Sequence, residues 1–138
     1  MGSIAIPQDL IVTAEDKAAA ARARAEAAVN AERQRRIVAG TVIDGVRVTG
    51  RDEDARNLTN LALAAQLRIA GGDTATPTTY RDGDNVDHDL TPPQMLALWQ
   101  QSAAYVSALY AASWAIKAMD TLPGDVTADG LWPEIEGE

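Results

Sequence analysis

The segment 41-TVIDGVRVT-49 constrains this chain more than any other. Asp44-Gly45 is a type I′ hairpin signal, because both central residues of that turn take positive φ. With those two as the loop, Ile43 faces Val46 and Thr41 faces Val48 on one side of the hairpin. Val42 and Arg47 share the other side. One face is apolar and one is mixed. A lone two-strand hairpin is marginally stable in water, so this one should lie on a helix. It sits between two helical patterns, one ending at Gly40 and one opening at 52-DED-54.

The first helix is expected from about Ala14 to Ala39. Thr13 is a good N-cap, and Glu15 and Asp16 suit the positive end of the helix dipole. Gly40 is the stop. Ala18, Ala21, Ala25 and Ala28 alternate three and four apart, a narrow seam along which two or three helices can approach. A high-propensity surface helix explains the same alanines. Ahead of it, residues 1–12 hold Ile4, Ile6, Leu10 and Ile11. They read as an extended arm apolar enough to dock on its own domain or on a partner. The second helix is expected over about residues 52–70. Leu58, Leu61, Ala62, Ala65 and Ile69 form one face. Leu63 and Leu67 widen the apolar arc, which implies a sandwiched helix. Residues 73–90 suggest a second hairpin, with arms at 78–81 and 86–90 and a turn at 82–85. Thr91, two prolines and Gln94 mark the next helix start as a capping box, and that helix should run to about Asp120. Met95, Trp99, Val106, Leu109 and Ile116 form its main stripe, with Leu98, Tyr105, Ala112 and Met119 beside it. Trp132-Pro133 reads as a docked anchor and residues 134–138 as a solvated acidic tail. The expected fold is mainly α (α+β): three long helices, two small β-hairpins and an N-terminal arm, with one domain over residues 13–133.

Composition narrows the function. Of 138 residues, 46% are hydrophobic, yet phenylalanine is absent and much of that share is alanine. The core should be thin, anchored by Trp99, Tyr105, Tyr110, Trp114 and Trp132. With no cysteine, disulfides and thiolate metal sites are excluded. There is no charged, apolar leader and no apolar run of membrane-spanning length. A soluble protein made in a cytoplasm, without membrane insertion, is expected. Net charge is −8, unevenly placed: residues 1–81 sum to +1 and residues 82–138 to −9. Phosphate repels such a second half, so no nucleic-acid partner is expected.

The acidic loop 82-DGDNVDHD-89 offers Asp82, Asp84, Asp87 and Asp89 to a hard cation. A helix-loop-helix calcium loop needs acids at positions 1, 3 and 5, glycine at 6 and glutamate at 12. Counted from Asp82, position 5 is Val86, position 6 is Asp87 and position 12 is Pro93, so the pattern fails. A solvated turn is the expectation, with no metal site. His88, the only histidine, could serve as a general base beside a carboxylate. No nucleophile motif accompanies it; Ser102, Ser107 and Ser113 fall on a helix. No phosphate loop is present either. Neither a catalytic residue nor a cofactor is expected. The cluster Arg33, Arg35 and Arg36 can hold an acidic partner surface, or simply complete the end of its helix.

The order of parts resembles a family of domains of unknown function found with bacteriophage tail-fibre and tail-assembly proteins. The resemblance rests on 30-NAERQRRIVAG-40, the hairpin with DGVRV, 51-RDEDARNLTNLALAA-65, a tyrosine segment with D-G-D, a T-x-x-Q-M helix start and a closing W-P. It covers about residues 14–133. Val42 and Val48 stand where the family pattern has larger residues. The resemblance implies a small, non-enzymatic phage protein with no catalytic residues. One reading is a virion component, a tail-fibre or tail-tip subunit or adaptor. It would form a homo-oligomer, with a trimer favoured, and contact other tail or fibre proteins. The other is an assembly chaperone absent from the finished particle. Ile4, Ile6, Leu10, Ala18, Ala21, Ala25, Ala28, Arg33 and Arg36 are the candidate partner-binding residues.

Overall fold

A computed structural model describes Pro7 and residues 11–134. The element order is α1 (Ala14–Ala39), β1 (Thr41–Ile43), β2 (Val46–Val48), α2 (Asp52–Ala70), β3 (Thr78–Arg81), β4 (Asp87–Leu90) and α3 (Pro92–Lys117). Each strand pair is an antiparallel two-strand sheet. The mainly α architecture with two hairpins is the one the sequence implies.

Local chemistry accounts for the helix ends. The Thr13 hydroxyl accepts from the Asp16 amide at 3.0 Å, and the Asp16 carboxylate accepts from the Thr13 amide at 3.1 Å. The same reciprocal box joins Thr91 and Gln94 at the start of α3. Each satisfies amides that the first helical turn leaves without partners. α2 starts differently. Its N-cap, Arg51, makes no side-chain cap. Instead the Asp54 carboxylate accepts from the Thr49 hydroxyl and, at 2.9 Å, from Arg51 Nε.

The first hairpin adopts the expected register: Thr41 opposite Val48, Val42 opposite Arg47, Ile43 opposite Val46. Asp44 and Gly45 both have positive φ, at 50° and 80°. Thr41, Ile43, Val46 and Val48 are buried, while Val42 and Arg47 are half-buried. Alternation thus turns the apolar face inward.

α3 is the spine of the molecule, shared by two cores. Its first half supplies Met95 and Leu98 to a cluster with Ile43, Val46, Val48, Leu58, Ala65 and Tyr80. Its second half supplies Leu109 and Ile116 to a cluster with Val29, Ile37 and Trp132. Each fully buried aliphatic side chain contributes about 1.5–3 kcal/mol. α1 runs antiparallel to α3: Arg22 meets the carbonyls of Lys117, Met119 and Asp120, while Arg33 meets Ser113.

Several expectations are corrected. α2 is not sandwiched within the chain, since Leu63 and Leu67 are 57% and 66% exposed. Trp114 is not a core anchor; it is 60% exposed and leans on Tyr110 with ring centroids 5.9 Å apart. α3 stops at Lys117 rather than near Asp120, and Met119 is exposed. Val86 belongs to the turn, because β4 begins at Asp87. The expected arm falls mostly outside the described residues, as does the acidic tail beyond Glu134.

Candidate interaction surface

The acidic loop is a structural junction. Asp82 is buried, and its carboxylate accepts from the backbone amides of Asp84 at 2.8 Å, Val86 at 3.0 Å and Arg47 at 3.4 Å. It also accepts from His88 Nε2 at 2.7 Å. Burial alone would raise its pKa; the His88 hydrogen bond and the three amides outweigh this and hold it at about 2. Gly83 adds a backbone bond to the Arg47 carbonyl at 2.9 Å. A Cβ at Gly83 would lie 2.5 Å from Thr49 Cγ2 and 2.8 Å from Arg47 Cγ, so a larger residue there would have to push both side chains aside. The 82–85 turn is therefore bolted to the first hairpin through both backbone groups of Arg47.

This geometry disposes of the loop's acids one by one. Asp87 pairs with Arg81 at 2.7 Å and Asp89 accepts from Thr79. Among the described residues, no three His, Cys, Asp or Glu side chains converge on a metal position. Asp82 and His88 do form a carboxylate–imidazole pair, the orienting half of an acid–base dyad. Among the described residues, no hydroxyl hydrogen-bonds to His88 to complete it.

The arginine cluster divides. Glu32 and Arg36 are both buried, and Arg36 Nε donates to Glu32 at 2.8 Å. Hydrogen bonds from Arg35 outweigh burial, and with the help of Arg36 they hold the Glu32 pKa below its ordinary value. The Arg36 guanidinium also donates to the Thr127 carbonyl and to Asp129, and stands 5.4 Å from the Trp132 ring centroid. The acidic surface it meets belongs to its own chain, which corrects its place among partner-facing residues. Arg33 stacks over Tyr110 at 4.3 Å and donates to Ser113, so it too works within the fold.

The alanines fare differently. The less exposed positions of α1 are 22, 25, 26, 29, 32, 33, 36 and 37, the stripe of a helix lying on a neighbour. Ala25 belongs to it and is half-buried; Ala18, Ala21 and Ala28 are exposed. The stripe begins at Arg22 because α3 ends there. Residues 11–21 are exposed throughout, and Ile11 and Val12 are 41% and 64% exposed. The first two turns of α1 thus project past the body. Ile4, Ile6 and Leu10 lie outside the described residues.

Two features escaped the sequence. Arg22 caps the end of α3, donating to three carbonyls at 2.7–2.8 Å. Its position four residues before Glu26 and seven before Val29 was a usable signal, obscured by the surrounding alanines. The second is an apolar cleft of about 220 Å³ between α2 and α3, lined by Thr59, Ala62, Leu63, Gln66, Leu96 and Trp99. Leu63 lines this cleft, and Leu67 lies exposed one turn further along α2, so neither is covered from both sides.

The geometry defines a small helical domain with two hairpin clips, a projecting helix end and an open apolar cleft. No helix among the described residues is long and apolar enough to cross a membrane. Residues 20–129 match the family described as Domain of unknown function (DUF4376), and the chain belongs to that family. No curated protein and no solved structure matches it.

Proposed function

We propose that this chain is a non-enzymatic structural component of a bacteriophage tail, a tail-fibre or tail-tip associated subunit or adaptor in the virion. It is made in the host cytoplasm, uses no cofactor, and binds other tail or fibre proteins and copies of itself, three being favoured. Nucleic acid and membrane insertion have no part in it. The observation that carries this reading is the bare start of α1, two turns over residues 14–21 that stay exposed with none of the other described residues burying them. Exposed alanines over two turns suit close approach by other helices. The order of sequence motifs resembling tail-fibre associated domains supports the choice of assembly. The family's description itself carries no activity.

A second reading has its own observation. The open cleft between α2 and α3 suits a chaperone that holds an apolar segment of a fibre protein and then leaves. Quantitative mass spectrometry of purified particles separates the two. The structural reading expects stoichiometric copies in a ratio fitting three-fold or six-fold symmetry. Absence from particles, with abundance in infected-cell lysate, would sink it and favour the chaperone.

A further inference from the structure

We propose that residues 4–11 of one copy lie in the α2/α3 cleft of another copy, so that subunits are joined by exchanged arms. This deepens the self-association named above and is independent of the tail assignment.

The cleft is built for an apolar segment. Its walls are Ala62, Leu63, Leu96 and Trp99, between the neutral polar rims of Thr59 and Gln66. Leu67, one turn on from Leu63 along α2, is 66% exposed. A cavity of about 150 Å³ holds a benzene ring, so this cleft has room for one or two aliphatic side chains. The arm offers Ile4, Ile6, Leu10 and Ile11 and carries one charge, Asp9. Arg56 stands one turn before Thr59. It is exposed, and its side chain has no ion pair or hydrogen bond with any other described residue. Arg56 thus offers an exposed cation beside the cleft to Asp9, the one charged side chain of residues 4–11.

Reach decides whose arm it is. Arg22 reaches the carbonyls of Lys117, Met119 and Asp120, at the far end of α3 from the cleft. Trp99 is about 27 Å from Lys117 along the helix axis. Ala14 lies about 12 Å beyond Arg22 in the opposite direction, because α1 and α3 are antiparallel. The two distances add to about 39 Å. Fully extended, the chain from Ala14 back to Ile6 spans at most about 28 Å, and back to Ile4 about 35 Å. Ile6, Leu10 and Ile11 of an arm therefore fall well short of its own cleft, and Ile4 falls short by about 4 Å even when the chain is fully extended. The projecting turns of α1 carry the arm away from its own body, to where a neighbour's cleft can receive it.

Two variants test this by complementation. Ile6→Asp with Leu10→Asp spoils the arm and leaves the cleft. Leu63→Asp spoils the cleft and leaves the arm; the position is exposed, and circular dichroism checks its fold. Sedimentation velocity of each alone should show association weakened about tenfold or more per apolar side chain lost. An equimolar mixture should regain mixed complexes, because each mixed pair keeps one intact arm and one intact cleft. If Leu63→Asp fails to fold, charge reversal replaces it. Asp9→Arg and Arg56→Glu should each weaken association, and their combination should restore it. Variants that assemble like wild type would overturn the exchange while leaving self-association standing. Loss without rescue on mixing would overturn it in favour of like surfaces pairing. A wild-type chain that stays monomeric would end both ideas.

Discussion

At the level of single residues, the most informative side chain is Asp82. The sequence showed four acids in eight residues and suggested a solvated turn. It could not show that one of the four is buried, because the amide of Arg47 that helps hold it is 35 positions away. Its pKa of about 2 lies below the ordinary carboxylate value. The folded form therefore binds the proton more weakly than the unfolded form does. The stabilisation is complete above about pH 4 and is lost as pH falls from about 4 to 2, a contribution of roughly 2 kcal/mol. Glu32 adds to the same acid limb, since its pKa is also lowered. Urea unfolding at pH 6 and at pH 2.5 checks this. Asp82→Asn should cost roughly 2 kcal/mol at pH 6 and much less at pH 2.5, where the carboxyl is largely protonated in the unfolded chain and the gain from folding it charged is mostly lost. An equal deficit at both pH values would mean that the charge is irrelevant. Arg36 makes the complementary case. Capping explained it from sequence, yet burial with Glu32 gives it a second role. Arg36→Ala should cost about 3 kcal/mol, because it leaves Glu32 buried without its closest buried cation; thermal denaturation would show it.

At the level of elements, local signals were readable and distant ones were not. The bounds of α1 and α2 follow from Thr13, Gly40, Asp52 and the Gly71-Gly72 pair, each acting within one turn of its helix. The hairpin register follows from Asp44-Gly45 alone. By contrast, the sequence placed Trp114 inside and Leu63 against a partner helix. Periodicity shows that a helix has an apolar face; it does not show how many neighbours cover that face. α2 carries more apolar arc than one chain covers, and the surplus became the cleft rim. The junction of α1 and β1 tests the local logic. Gly40 has φ 72° and ψ −158°, a conformation open almost only to glycine. A Cβ there would fall 1.8 Å from the Val48 carbonyl oxygen. Gly40→Ala should destabilise by about 3 kcal/mol or more, combining strain with a backbone clash. A urea midpoint unchanged from wild type would show that the junction can shift. Trp132 latches the C-terminal segment through its Nε1–H bond to the Val126 carbonyl at 2.8 Å. Trp132→Ala should cost about 3–5 kcal/mol, and limited proteolysis should then cut first after residue 118.

At the level of the whole molecule, stability and association divide along α1. From Arg22 onward the helix lies against α3 and closes the second core. Before Arg22, among the described residues, it has only the helix's own hydrogen bonds and the Thr13 cap. Isolated helices shorter than about 12–15 residues are marginal in water, so these turns rest on continuity with the packed half. In a dilute, monomeric sample, amides at 17–21 should exchange with solvent orders of magnitude faster than those at 98–116, which both cores bury. Association then has two distinguishable signatures. If the alanine seam packs against other copies, protection at 17–21 should rise at least tenfold on assembly. Ala21→Glu, at an exposed position, should abolish that rise and weaken association. Ala25→Glu is a poorer test, because Ala25 already leans on its own α3 and the change would also disturb the fold. If only arms are exchanged, the cleft residues 59–67 and 96–99 should gain protection while 17–21 stay as they were. The helix end would then act as a boom that holds the arm at the right distance from its own body.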